Sequence, residues 1–146
     1  MDDHAFIRLG IKGILASLPE WKVCGEADNG QDAVRLAKTL NPAVVLLDVS
    51  MPGITGLEVA RAIRERDKTV KIILLTLHDS EELVRTAFRI GVNGYLLKTE
   101  AESELVRALR IVSGEGVYIS PKLGADFVKS LIASMSAASS SSSSAS

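Results

Sequence analysis

The stretch VVLLDVSMPG at residues 44–53 decides the fold of this chain. Four apolar residues, two of them β-branched, are typical of a strand buried in a parallel sheet. Asp48 ends the apolar run, and Pro52-Gly53 then turns the chain. Because open α/β sheets bind their ligands at the carboxyl ends of their strands, Asp48 is a candidate site residue. On this motif alone, an aspartate that merely caps a loop is the better explanation.

Two later apolar runs also end in a polar side chain. The run IILL at 72–75 is followed by Thr76, and GYLL at 94–97 is followed by Lys98. Strands that alternate with helices predict right-handed crossovers and a parallel sheet. A carboxylate, a hydroxyl and an ammonium group would then lie at the same edge of that sheet.

Helical spacing of apolar residues predicts the elements around these strands. A turn and a proline are expected to bound the helix that carries Ala33, Val34, Ala37 and Leu40, and Gly91 is expected to follow the end of the fourth helix. The helix at 55–66 should bury Leu57, Ala60 and Ile63 and expose a charged face of Arg61, Arg64, Glu65 and Arg66. The predicted elements are helices at 5–18, 55–66 and 101–113, a helix containing Ala33 to Leu40, a helix capped by Asp79 or Ser80, and a short strand at 21–27.

Composition narrows the function classes. The chain has 146 residues, a formal net charge of −1 and 47% hydrophobic residues, which favours one aliphatic α/β domain. A charge this close to zero gives no electrostatic reason to expect binding to nucleic acid or membranes. The single cysteine, Cys24, excludes a disulfide within the chain, and no apolar run approaches the ~18 residues of a membrane span. We therefore expect a cytoplasmic location.

Further motifs make the pattern specific to a family. Asp2-Asp3-His4 follows Met1, and the chain also contains GITGLE at 53–58 and GEGVYISP at 114–121. Together with Asp48, Thr76 and Lys98, these motifs resemble the receiver domain of two-component response regulators, in particular its NarL/FixJ-type (LuxR-family) branch. The resemblance covers roughly residues 2–130. It implies a three-layer, doubly wound parallel sheet of the flavodoxin-like class, with strand order 2-1-3-4-5.

The resemblance also implies the role of each site residue. Asp48 would accept a phosphoryl group from a histidine kinase in a Mg²⁺-dependent reaction, with Lys98 beside the phosphoryl oxygens. Thr76 and Tyr95 would form the switch, although an ordinary half-buried tyrosine on an edge strand is also a plausible explanation of Tyr95. The implied Mg²⁺ ligands are Asp3 and Asp48 directly, Asp2 through water, and the backbone carbonyl of Ser50.

The chain departs from the family pattern in three places. Thr99 follows Lys98 where many receivers have a proline after a cis bond, so the isomer of this peptide bond stays open. The first strand is expected to be absent, because only Met1 precedes Asp2 and a strand needs about five residues. The third departure concerns the DNA-binding helix-turn-helix into which this branch normally continues, because no recognition helix is expected in this chain. We expect a receiver domain at 1–116, a linker or helix at 117–135 with apolar residues such as Phe127 and Leu131, and a disordered Ser/Ala-rich tail at 136–146.

These features predict a signalling protein and not an enzyme. Its partners would be a histidine kinase and either a second copy or a full-length response regulator, with regulation of transcription through those partners and no direct binding to DNA or membranes. A haloacid-dehalogenase-type phosphatase also uses an aspartate after a strand, but it needs a second Asp at the position of Ser50. A pseudo-receiver that only binds other proteins is the remaining alternative.

Overall fold

Four parallel strands form one sheet in the part of the chain that the structure describes. The computed structural model describes residues 27, 29–49, 55–77, 80–123 and 133. Its strands lie in the order β1-β2-β3-β4. They are β1 (Val44–Asp48), β2 (Lys71–Thr76), β3 (Gly94–Leu97) and β4 (Tyr118–Ile119).

Helices cover both faces of this sheet, which confirms the predicted three-layer architecture. They are α1 (Gly30–Leu40), α2 (Gly56–Arg66), α3 (Glu81–Ile90) and α4 (Ala101–Ser113), with 3₁₀ turns at Lys98–Glu100 and Pro121–Leu123. Residues 72–75 of β2 are entirely apolar because alternate side chains enter different layers. Ile72 and Leu74 pack with α1, α2 and α3, whereas Ile73 and Leu75 pack with α4.

The helix ends follow from local capping. Asn41 ends α1 in the left-handed region at φ 49°, and Gly91 ends α3 at φ 113°. The Thr55 hydroxyl accepts the Glu58 N–H, and the Glu58 carboxylate accepts the Thr55 N–H, which is a capping box. Ser80 caps α3 by accepting the Leu83 N–H at 3.2 Å. The four predicted helices in the described region are therefore confirmed, although Leu40 at the end of α1 is exposed.

The prediction that Arg64 belongs to an exposed helix face is wrong. Arg61, Glu65 and Arg66 are exposed as expected. Arg64 is half-buried instead, and its guanidinium donates to the Gly91 carbonyl at 3.1 Å. The side chain lies over the end of α3, because its long aliphatic stem can cross an apolar surface and place the planar guanidinium against partly buried acceptors.

Strand β4 was not predicted from the sequence. Its Tyr118 N–H donates to the Asn93 carbonyl, and the Ser120 N–H donates to the Tyr95 carbonyl, both at 3.0 Å. Two strand residues are too few for a periodic pattern to identify. They nevertheless place part of the segment 117–135 directly on the sheet.

Several predictions lie outside the described residues. These are the helix at 5–18, the strand at 21–27 except for its last residue, the absence of the first strand, the apolar residues Phe127 and Leu131, and the tail at 136–146. They stay predictions.

Candidate functional site

A buried ion pair joins two strand ends at the carboxyl edge of the sheet. Asp48 is the last residue of β1, and Lys98 follows the last residue of β3. The Lys98 Nζ donates to the Asp48 Oδ2. The two side chains are 1% and 0% exposed. Since an isolated buried charge is very costly, the pairing of the two groups offsets part of the cost of burying them.

The register of the strands brings these residues together. Asp48 lies opposite Leu75 on β2, and Thr76 lies opposite Leu97 on β3. Thr76 therefore ends the strand between Asp48 and Lys98, and it is also buried. The structure therefore contains the predicted sheet edge, with a carboxylate, a hydroxyl and an ammonium group at the ends of three strands.

Gly56 supports the backbone next to Asp48. Its N–H donates to the Val49 carbonyl at 3.1 Å, and the Val49 N–H donates to the Leu75 carbonyl at 3.0 Å. A Cβ atom on Gly56 would lie 2.5 Å from the Asp48 carbonyl oxygen. The sequence alone does not indicate this role, although Gly56 lies in the GITGLE motif at 53–58.

Tyr95 is fully buried on β3, at 0% exposure. It packs in the layer that contains Leu47, Val84 and Phe88. Among the described strands β3 is not an edge, because β4 pairs with it on the side away from β2. The half-buried edge tyrosine considered as an alternative is therefore wrong for this residue.

Of the predicted metal ligands, Asp48 lies in the part of the chain that the structure describes. Asp2, Asp3 and Ser50 lie outside the described residues, so the predicted Mg²⁺ set stays a prediction. Within the described ranges no three His, Cys, Asp or Glu side chains gather closely enough to hold an ion. Asp48 does fit one part of the site, since a carboxylate at a strand end is a ligand that Mg²⁺ prefers.

Two further observations concern the described ranges. They contain no cis peptide bond, so the bond between Lys98 and Thr99 is trans. They also contain no helix with the length and apolar character needed to cross a membrane.

An open parallel sheet with Asp48, Thr76 and Lys98 at the ends of three neighbouring strands defines a receiver-type signalling domain of flavodoxin-like fold. The family model for the response regulator receiver domain matches residues 1–110. The chain belongs to this family.

Its relatives are LuxR-family response regulators. The transcriptional regulatory protein DegU of Brevibacillus brevis is 38% identical over 129 residues, which are 88% of this chain and 55% of DegU. Response regulator UvrY of Escherichia coli (strain K12) is 42% identical over 132 residues, which are 90% of this chain and 61% of UvrY. This chain thus spans less than two thirds of the length of these relatives.

Solved structures show the same fold. A two-component response regulator of the LuxR family from Aurantimonas sp. SI85-9A1 superposes with a TM-score of 0.82 at 29% identity, covering 90% of this chain and 94% of that one. The signal receiver domain of the response regulator NarL from Mycobacterium tuberculosis gives a TM-score of 0.73 at 36% identity, covering 77% and 91%.

Proposed function

We propose that this chain is a phosphoacceptor receiver domain in which Asp48 receives a phosphoryl group from a histidine kinase. The observation that carries the proposal is the buried Asp48–Lys98 pair at the carboxyl edge of the sheet, with Thr76 on the strand between. Family membership supports it, because these residues stand at the positions that the sequence motifs indicate.

The transfer exchanges one bond to phosphorus for another. An Asp48 carboxylate oxygen forms a bond to phosphorus, and the P–N bond of the phosphohistidine breaks, with its electron pair returning to the imidazole nitrogen. Two anions must approach each other for this, so catalysis depends on positioning and on neutralising charge. The Lys98 ammonium lies against the Asp48 carboxylate and would accompany the phosphoryl oxygens after transfer.

A divalent cation fits this chemistry. Asp48, with Asp2, Asp3 and the Ser50 carbonyl, would hold Mg²⁺, which when bound supplies positive charge to the phosphoryl oxygens. The residues of this chain orient the acceptor, because Asp48 is held by Lys98 and by the backbone that packs on Gly56.

Thr76 and Tyr95 would carry the switch. In our proposal the Thr76 hydroxyl moves to bond a phosphoryl oxygen, and the Tyr95 ring takes the space beside it. The core accommodates the ring in the inward position already. Phosphorylation would then make this position the dominant one and change the surface around α3, β3 and α4.

The output would pass through other proteins. We propose a second copy or a full-length response regulator as the partner, and an effect on transcription through that partner and not through DNA binding by this chain. The chain acts as a signalling module, and no substrate turnover is part of the proposal.

Acetyl phosphate tests the proposal directly. With Mg²⁺, intact-mass measurement should show one added phosphoryl group that is stable to acid and labile to base, and chelation of Mg²⁺ should prevent it. Asp48→Asn should abolish labelling, because an amide is not a nucleophile here, and Asp3→Ala should lose it through the metal. Lys98→Ala should slow labelling, and the labelled variant should not undergo the movement of Thr76 and Tyr95.

The matched control is Asp32→Asn, since Asp32 is a partly exposed carboxylate on α1 that pairs with Arg35 and not with Lys98. Its labelling should equal that of the wild type. Undiminished labelling of Asp48→Asn would refute the assignment. Absence of labelling in every variant would favour the pseudo-receiver that only binds proteins.

A further inference from the structure

Ser120 is a buried polar residue beside the strand that leads to Lys98. Its side chain has no exposed surface. The hydroxyl accepts the Leu97 N–H at 2.9 Å, and the Ser120 N–H donates to the Tyr95 carbonyl at 3.0 Å. One residue thus bonds β3 at two points, both within three residues of Lys98.

The hydroxyl extends the pairing of β3 beyond the end of β4. The Asn93 and Tyr95 carbonyls and the Leu97 N–H face the side of β3 on which β4 lies. The two carbonyls accept the N–H groups of Tyr118 and Ser120. The strand pairing of β4 ends opposite Tyr95. At Leu97 a side-chain oxygen therefore takes the place of a strand carbonyl, which satisfies a buried N–H.

The segment after β4 is itself held in place. The Leu123 N–H donates to the Ser120 carbonyl at 3.1 Å and closes the turn Pro121–Leu123, and the Leu123 side chain is buried. Lys122 adds two longer contacts to the turn that Lys98 begins, one of which joins its N–H to the Glu100 Oε1 at 3.4 Å. The other joins its Nζ to the Thr99 Oγ1 at 3.5 Å.

We propose that Ser120 is a positioning residue for phosphoryl transfer to Asp48. By fixing the Leu97 backbone, it holds the next residue so that the Lys98 ammonium stays against the Asp48 carboxylate. This role rests on the proposed function. Small displacements of a catalytic cation matter, because a misplacement of about 1 Å can slow a reaction on the order of 100-fold.

The test is a double-mutant cycle on the rate of labelling by acetyl phosphate with Mg²⁺. Ser120→Ala should slow labelling roughly 3- to 10-fold in the wild-type background, as expected for a partial loss of positioning. In the Lys98→Ala background it should add no further slowing, because the group that it positions is gone. Ser113→Ala, at the exposed end of α4, is the control and should label at the wild-type rate.

Amide hydrogen exchange reports on the contact without reference to activity. Ser120→Ala should speed exchange at the Leu97 N–H more than at the other β3 amides. Should Ser120→Ala not fold, Ser120→Cys is used instead, since it keeps the shape and weakens the acceptor.

The outcomes separate the two hypotheses. Labelling that depends on Asp48, combined with equal slowing by Ser120→Ala in both backgrounds, would overturn the role of Ser120 alone, because the effect would then be one of general stability. Wild-type labelling by Ser120→Ala would overturn it as well. Undiminished labelling of Asp48→Asn would overturn the proposed function and this role with it.

Discussion

Among single residues, Gly56 is tightly constrained by the backbone of Asp48. A Cβ atom there would meet three backbone atoms within 2.9 Å, and these belong to Asp48 and Val49. Backbone cannot rotate away as a flexible side chain can, so any larger residue must displace the segment that carries Asp48. The start of α2 therefore packs directly against the end of β1 at Gly56.

We predict that Gly56→Ala lowers the free energy of unfolding by about 1–3 kcal/mol, the usual cost of overpacking. Labelling by acetyl phosphate should also slow, since Asp48 would shift. Urea unfolding and labelling rates check the two effects.

The control is Gly114→Ala. A Cβ atom on Gly114 would meet its nearest neighbour, the Arg110 carbonyl oxygen, at 3.4 Å. Equal effects of the two substitutions on stability and labelling would contradict the steric argument for Gly56.

Asp67 gives a pH-dependent prediction. Its Oδ1 accepts the Thr69 hydroxyl at 2.7 Å and the Thr69 N–H at 2.8 Å, and these bonds hold its pKa below the ordinary value of 3.8. A depressed pKa in the folded state contributes stability that is present above the unfolded value. That contribution is lost as the pH falls through 3.8 and then through the folded value.

We therefore expect wild type to be more stable than Asp67→Asn at neutral pH, and the difference to shrink as the pH falls below 3.8. Urea midpoints measured against pH check this. Asparagine keeps the size of aspartate and does not titrate, so a pH dependence of the difference in stability comes from the Asp67 carboxylate. A difference that stays constant through the acid range would refute the prediction.

Among the elements, Arg64 connects α2 to the end of α3 and to the start of β2. Its guanidinium donates to the Gly91 carbonyl, to the Asp67 carbonyl and to the Asn93 Oδ1, at 3.0–3.1 Å. The same Asn93 oxygen accepts the Ile72 N–H at 3.0 Å. Partial burial lowers the pKa of Arg64, and the nearby Asp67 opposes that shift.

We predict that Arg64→Ala lowers the free energy of unfolding by roughly 1–3 kcal/mol, because partly buried acceptors lose their donor. Arg64→Lys should recover little, since an ammonium cannot reproduce the planar fork. Arg61→Ala, one turn earlier and exposed, is the control and should change stability by no more than about 0.5 kcal/mol. Urea unfolding of the three variants gives the comparison, and equal losses for Arg61→Ala and Arg64→Ala would contradict it.

For the whole molecule, charge decides the expected behaviour towards nucleic acid. The chain has 17 basic and 18 acidic residues. Non-specific DNA affinity comes mainly from cations that neutralise phosphates, and a balanced chain has little surplus to offer.

We predict that this 146-residue chain binds duplex DNA no better than a neutral protein of its size, before or after treatment with acetyl phosphate. Fluorescence anisotropy of a labelled duplex, titrated at several salt concentrations, measures this. Sequence-specific binding that persists at moderate salt would contradict the prediction and would place the output in the chain itself.

The sequence by itself determined strands β1, β2 and β3, the helix ends and the order of the polar residues at the sheet edge. Apolar runs of four residues identify the buried strands β1, β2 and β3, and residues such as Asn41, Ser80 and Gly91 mark helix ends through their own backbone and side-chain chemistry. These signals are local, so a single sequence carries them. The Mg²⁺ ligands Asp2, Asp3 and Ser50 and the absent first strand remain predictions.

The sequence predicted that Asp48 and Lys98 lie at one edge of the sheet, but only the tertiary structure decided which distant groups are in direct contact. Lys98 and Asp48 are 50 residues apart, Arg64 and Asn93 are 29 apart, and Ser120 and Leu97 are 23 apart. No periodic pattern encodes such pairs, because each contact depends on how strands register and how helices pack across them. Arg64, on a predicted polar helix face, is thus half-buried and bonded to three acceptors, and Ser120, beside a two-residue strand, bonds the Leu97 backbone next to Lys98.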